Sequence, residues 1–170
     1  ALHTTVGAEQ DITKQLEIGV EGFYKKLDRL VVPNERAAGY SNEGEGYAVG
    51  GEVLLKYKPD EHFFGWLAYT LSRSARTPHP GEEEVLASFD QTHVMTVLGS
   101  YRIGRGWEVG ARFRLVSGGL ITPTVCDAAE PTCNTSRLNA VFAAPSNSYL
   151  PLTYGADFSE RLPLFHQLDL

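Results

Sequence analysis

The chain is short of cysteine, of long apolar runs, of clustered positive charge and of helical periodicity, and each shortage excludes something. Only two of its 170 residues are cysteines, Cys126 and Cys133, in the segment CDAAEPTC. Six residues lie between them, so a C-x-x-C redox motif is excluded, and no further zinc ligands stand close in sequence. A disulfide closing a loop is the expectation, and it implies an oxidising compartment; two free thiols in a loop are the alternative. No apolar run reaches the ~18 residues of a membrane helix, which excludes a helical span. The 15 basic residues are spread singly among 21 acidic ones, so no basic patch awaits the phosphates of a nucleic acid. No long stretch keeps a 3.6-residue apolar period with caps at both ends.

What the chain does have is glycine (17 residues), aromatics (11%) and short apolar runs divided by turn residues, the profile of an all-β protein. A first strand is expected at Leu2 to Asp11, then a tight connection, Ile12 to Gln15, and a second strand at Leu16 to Val32. In the second, Leu16, Ile18, Val20, Gly22 and Tyr24 share one face, against Glu17, Gly19, Glu21 and Lys25, with Phe23 interrupting the polar side. A long polar stretch, Pro33 to Gly46, precedes a third strand at Tyr47 to Lys58. After the turn Pro59 to His62, a fourth strand is expected at Phe63 to Arg73, followed by a second polar stretch, Ser74 to Gln91. The fifth strand, Thr92 to Arg102, and the sixth, Trp107 to Ser117, flank the turn Ile103 to Gly106. The sixth alternates most cleanly: Trp107, Val109, Ala111, Phe113 and Leu115 against Glu108, Gly110, Arg112 and Arg114. An irregular stretch from Gly118 to about Pro163 leads to a seventh strand starting near Phe165.

The connections therefore alternate short and long, as in outer-membrane barrels with short periplasmic turns and long extracellular loops. Soluble β-sandwiches show the same side-chain alternation, but nothing in them requires that rule or strands long enough to cross a bilayer, ~9–11 residues against the usual ~5–6. Tyr57, Phe63, Tyr101 and Trp107 sit beside the short turns, where rings would form a lipid-facing aromatic girdle. The mean hydropathy of −0.20 is compatible with this, since only alternate residues of a barrel strand meet lipid. The expected architecture is one domain over residues 1–170: about seven antiparallel transmembrane strands, forming part of a β-barrel. Ala1 is followed at once by a strand-like run with no signal peptide, so the natural start is expected upstream.

Two stretches, GGEVLLKYKPDEHFFGWLAYTLSRS (Gly50 to Ser74) and FDQTHVMTVLGSYRIGRGWEVGARFRLVSG (Phe89 to Gly118), resemble late barrel strands of TonB-dependent outer-membrane receptors. LPLFHQLDL (Leu162 to Leu170) resembles the start of their last strand, and Asp90-Gln91-Thr92-His93 resembles the Asp-Gln-x-His run that opens a strand in that family. The resemblance spans the chain from about Leu16 onward and rests on barrel-building motifs, which are silent about the ligand. It implies a barrel of about 22 strands filled by an N-terminal plug, energised uptake of ferric siderophores, cobalamin or glycans, and coupling to an inner-membrane TonB-type complex through an N-terminal box. Plug, box and most strands are absent here, so a C-terminal piece of a Gram-negative outer-membrane receptor is the expectation. Its partners would be outer-membrane lipid, the plug and the remaining strands. A non-transport barrel, acting as an adhesin or as an anchor within a larger outer-membrane complex, is the rival reading.

No catalytic constellation stands out and no cofactor or metal is expected. His3, His62, His79, His93 and His166 form no H-x-x-x-H or H-E-x-x-H pair. Glu82-Glu83-Glu84 reads as a solvated loop, and Gly104-x-Gly106 precedes no helix and so cradles no phosphate. Glu17, Glu21 and Glu52 are expected to pair with basic side chains or with the plug, not to act as acid and base. Ligand contacts are expected on the long loops: Arg36, Tyr40 and Asn42 in the first, His79 and Phe89 in the second, Tyr149 and Tyr154 in the third.

Overall fold

The computed structural model describes residues 1–33, 39–123, 140–143, 145, 147–151 and 155–170. These are all-β, with no α-helix among them. The strands are β1 (Leu2–Asp11), β2 (Leu16–Pro33), β3 (Tyr40–Tyr57), β4 (Phe63–Thr77), β5 (Val85–Leu86), β6 (His93–Gly104), β7 (Trp107–Val116), β8 (Leu120–Ile121), β9 (Ala140–Ala143), β10 (Ser148–Pro151), β11 (Glu160–Arg161) and β12 (Phe165–Asp169). The main sheet is an antiparallel meander in the order β1-β2-β3-β4-β6-β7-β12, with β5 paired to the far end of β4. Two small two-stranded sheets, β9 with β10 and β8 with β11, lie between β7 and β12 in the chain.

Side-chain alternation carried through the ladder gives two chemically distinct faces. Val20, Val53, Tyr69, Met95 and Leu115 line up across five strands on one face. Their neighbours one residue along, among them Glu21, Glu52, Thr70, Thr96 and Arg114, lie on the other. The apolar face is uncharged over a defined window. On β3 the window runs from Tyr57 through Leu55, Val53, Gly51 and Val49 to Tyr47, and the next residue on that face is Glu45. On β4 it runs from Phe63 to Leu71, before Arg73; on β6 it runs from Tyr101 to Met95, before His93. The window slides from strand to strand. Phe63 lies one same-face position beyond Gly65, the partner of Tyr57, and Trp107 lies two positions beyond Ala111, the partner of Gly99. That stagger belongs to strands tilted relative to the axis of the sheet.

Very little of this surface is covered. Among the described residues the buried apolar side chains are Val32, Ala75, Ala87 and Val116, all at the end where the connections are long. Val20, Leu71, Val109 and Leu168 are exposed, and so is Trp107 at 72%. The accessible surface is 12372 Å² for 18.7 kDa, whereas a compact monomer of that mass exposes roughly 8,300 Å². Among the described residues the sheet is a single layer, and none of them forms a second layer over its apolar face.

The short turns have clear local causes. Between β6 and β7, Arg105 (φ 55°) and Gly106 (φ 86°) both take positive φ, the signature of a type I′ hairpin, and glycine supplies one of the two positions without strain. Between β3 and β4, the Asp60 carboxylate accepts the backbone N–H groups of His62 (2.8 Å) and Phe63 (2.7 Å), and the Tyr57 hydroxyl donates to it (2.9 Å). These donors, the Phe63 amide foremost, hold the Asp60 carboxyl below its ordinary value. A depressed folded value stabilises the turn above the unfolded aspartate pKa of about 3.9 and the gain is lost as pH falls through the folded one. The protection of the His62 and Phe63 amides, taken relative to their intrinsic exchange at each pH, is therefore expected to fall below about pH 4 in the native protein, and to show no such fall in Asp60→Ala.

Several strand limits differ from expectation. β3 starts at Tyr40, not Tyr47, so Tyr40 and Asn42 stand on a strand and not in a loop. The hairpin of β2 and β3 continues through two register shifts, between Leu27 and Leu30 and between Leu30 and Val32, with Arg29 at φ 59°. Backbone pairing needs no apolar alternation, and the bulges break the period that sequence reading relies on. β4 runs on to Thr77 because the early start of β3 supplies partners for it, Glu45 opposite Thr77 and Gly46 opposite Arg76, and β5, inside the second polar stretch, pairs Ala75 and Arg76 on the other edge. The third stretch, expected to be irregular, contains β8 to β11.

Candidate functional site at the long-loop rim

Among the described residues the side chain most shielded from solvent belongs to an acid, Asp90, at 1% exposure. Its carboxylate accepts the Ser74 backbone N–H (2.6 Å), the Thr92 hydroxyl (3.2 Å) and Nη2 of Arg161 (2.6 Å). Arg161 also donates through Nη1 to the carbonyls of Asp90 (3.0 Å) and Gly118 (3.0 Å), and through Nη2 to Thr92 Oγ1 (3.1 Å). One ion pair thus joins the end of β4, the start of β6, the exit of β7 and the β8–β11 pair. The rest of the Asp-Gln-x-His run serves the same rim. The Gln91 carbonyl accepts the Ser72 hydroxyl (3.0 Å), His93 N–H donates to Ser117 Oγ (2.8 Å), and Tyr69 Oη lies 2.8 Å from His93 Nδ1.

Gly118 is packed against the backbone of Leu162 and Pro163 so closely that a Cβ there would overlap the Leu162 carbonyl. Gly118→Ala is expected to cost about 1–3 kcal/mol as an overpacked site. Chemical unfolding of the variant in lipid or detergent checks this, with Gly119→Ala as the comparison, since a Cβ at Gly119 meets nothing within 4 Å.

On the polar face below the rim Glu17 meets the expected cations, whereas Glu21 and Glu52 have no basic partner among the described residues. Glu17 is buried and meets Lys56 (3.2 Å) and Lys58 (3.1 Å), while Lys58 also reaches Asp11. The Thr70 hydroxyl donates to Glu52 (3.3 Å), Arg112 pairs with Asp169 (2.8 Å), and Glu108 accepts from Ser100 and pairs with Arg102 (3.5 Å). Glu9, Glu21 and Glu52 edge an open hollow of about 440 Å³ over Gly7 and Gly19. Glu17, Glu108 and Asp169, each held by a cation on a neighbouring strand or across a turn, are poor general acids or bases.

The structure disperses the residues picked from sequence as ligand contacts. Phe89 is exposed and lines a rim cavity. His79 is half-buried in the second loop, with Nδ1 3.6 Å from Glu43 and its N–H donating to Glu82 (3.2 Å). Tyr40 and Asn42 are exposed on the hairpin strand β3, away from any convergent set. The backbone of Tyr149 pairs with Phe142 in the β9–β10 hairpin. Arg36, Tyr154 and both cysteines, Cys126 and Cys133, lie outside the described residues. Within the acid run, Glu84 is tied down by Tyr47 (3.2 Å) and Arg73 (3.3 Å). Among the described residues no three His, Cys, Asp or Glu side chains converge as metal ligands.

Tyr57, Phe63 and Tyr101 do stand together on the apolar face. Phe63 is the register partner of Tyr101, and its ring centroid lies 5.3 Å from that of Tyr57. Trp107 continues the row at the turn into β7. At the other end of the apolar window, Tyr24 and Tyr47 stack at 6.5 Å. Arg161, which sequence reading missed, had no local signal, since its partner lies 71 residues away.

No family model, curated protein or solved structure matches this chain.

Proposed function

We propose that this sheet is part of the wall of an outer-membrane β-barrel, and that the barrel is a receptor of the TonB-dependent kind importing a scarce nutrient. The observation that carries the membrane part is the uncharged window bounded at each end by rings. Tyr47 to Tyr57 on β3 spans ten steps, roughly 34 Å of strand at ~3.4 Å per residue. At a tilt of ~45° this covers about 24 Å, close to the ~25 Å apolar band of such barrels. An apolar face of this extent, with no second layer among the described residues, needs a solvent other than water, and lipid is the one whose thickness fits. The transport part is supported by the charged inner wall, the long connections gathered at one rim and the family-like Asp90-to-His93 run.

The unpaired edges of β1 and β12, among the described residues, need further strands, because open edges in hydrocarbon leave backbone groups unsatisfied. The remainder of the barrel supplies them on this reading. Deleting the intact gene is expected to slow uptake of one nutrient under scarcity. Uptake unchanged across iron complexes, cobalamin and glycans, with the protein still located in the outer membrane, would favour a structural or adhesive barrel instead.

A further inference from the structure

At the rim, a mostly apolar cavity of about 120 Å³ is lined by Leu27, Leu30, Val32, Ala75, Phe89 and one cation, Arg76. Arg76 stands out among the rim cations. Arg161 and Arg73 have carboxylate partners, whereas Arg76 has no ion pair or hydrogen-bond acceptor among the described residues. Its Nε–H is shut off from solvent and unpaired. A shielded charged donor without an acceptor is unfavourable, and an acceptor brought in from outside relieves it.

The face of the guanidinium is already occupied. The ring of Phe158 covers it, with Cζ 5.2 Å from the ring centroid. Phe158 holds this place at φ 53°, a left-handed conformation that a bulky side chain rarely adopts. Its N–H donates to Thr122 Oγ1 (3.1 Å), whose hydroxyl donates to Asp157 (3.3 Å). Strain of this kind persists where surrounding structure enforces it, commonly at ligand clamps. An arginine stacked on one face keeps its in-plane fork for an oxyanion, which it binds through two parallel N–H donors.

We propose that Arg76 and this cavity bind a small molecule consisting of one oxyanion, a carboxylate foremost, on a compact apolar body. A cavity of about 120 Å³ approaches the size that accepts a single benzene ring. The apolar lining takes the body, Arg76 takes the charge, and Phe158 keeps the fork oriented. The proposal deepens the receptor reading by naming a ligand class for its rim.

The test uses the full-length protein folded in detergent, with benzoate as probe and benzamide, of the same shape and uncharged, as its partner. Chemical-shift titration is expected to give saturable benzoate binding with shifts around Ala75, Ala87 and Phe89, and at least tenfold weaker binding of benzamide. Arg76→Met is expected to abolish the preference for benzoate, and Arg76→Lys to keep only part of it, since a point charge replaces the fork. Phe158→Leu is expected to weaken benzoate several-fold. Should Arg76→Met not fold, the benzoate-to-benzamide ratio in the unaltered protein and in Arg76→Lys still decides. Equal binding of the two probes, no binding of either, or a preference that survives Arg76→Met would overturn the proposal. Those outcomes leave the receptor reading standing, because nutrient uptake and lipid contact by the apolar face are read separately.

Discussion

Val53→Arg is expected to destabilise the folded protein in a bilayer by about 2–4 kcal/mol, while Leu54→Arg, one residue along, is expected to cost under about 1 kcal/mol. Val53 is at the centre of the uncharged window, between Val20 and Tyr69 on the neighbouring strands. On the proposed reading its side chain meets hydrocarbon at mid-depth, where a guanidinium lacks both water and counter-charge. Leu54 points the other way and shares the hollow with Glu9, Glu21 and Glu52, so a cation there gains partners. A soluble sheet would show no such contrast, because both positions would border water or a protein partner. Denaturant titration of both variants in lipid vesicles gives the comparison directly. Equal costs for the two would remove the asymmetry on which the face assignment rests.

The second large effect is at the rim. Asp90→Asn and Arg161→Met are each expected to destabilise by about 3–5 kcal/mol, because each leaves the other partner shielded and uncompensated. Asp90 loses its solvent almost completely and depends on three donors. Asparagine keeps an oxygen for the Ser74 N–H but turns an amide NH2 toward the guanidinium of Arg161, so donor faces donor and the cation loses its counter-charge. The double variant Asp90→Leu with Arg161→Leu is expected to recover much of the loss, since a matched apolar pair leaves no orphan charge. A double-mutant cycle measures the coupling. Additive single effects would show that the two side chains stabilise the rim independently. Hydrogen exchange should accelerate first at Leu162, whose N–H donates to the Gly119 carbonyl beside the pair.

The sequence made the long strands and short turns of the sheet legible and left the rim largely hidden, for physical reasons. β1 occupies the strand-like run expected of it, about Leu2 to Asp11, and β7 differs by one residue at its end, because its alternation of side chains reports a two-faced strand. The turns at Pro59 to His62 and Ile103 to Gly106 were marked by residues with specific turn chemistry, Asp60 and Gly106. By contrast, Tyr40 to Gly46 reads as a polar loop, since its pairing with β2 passes through bulges and exposes both faces. β5, β8 and β11 are two residues each, too short for any period to register. The ion pair of Asp90 and Arg161 joins positions brought together only by the sheet. The Asp-Gln-x-His run pointed to Asp90, but nothing local pointed to its partner.

The most direct test attaches a fluorophore singly at Val53, Val97 or Phe113 on the apolar face and at Glu52, Thr96 or Arg114 on the other, in the full-length protein reconstituted into vesicles. Lipids brominated along their acyl chains are expected to quench the first set strongly and the second weakly, with aqueous iodide showing the reverse order. Quenching by iodide at Val53, Val97 and Phe113 as strong as at their neighbours, with no response to brominated lipid, would contradict the account.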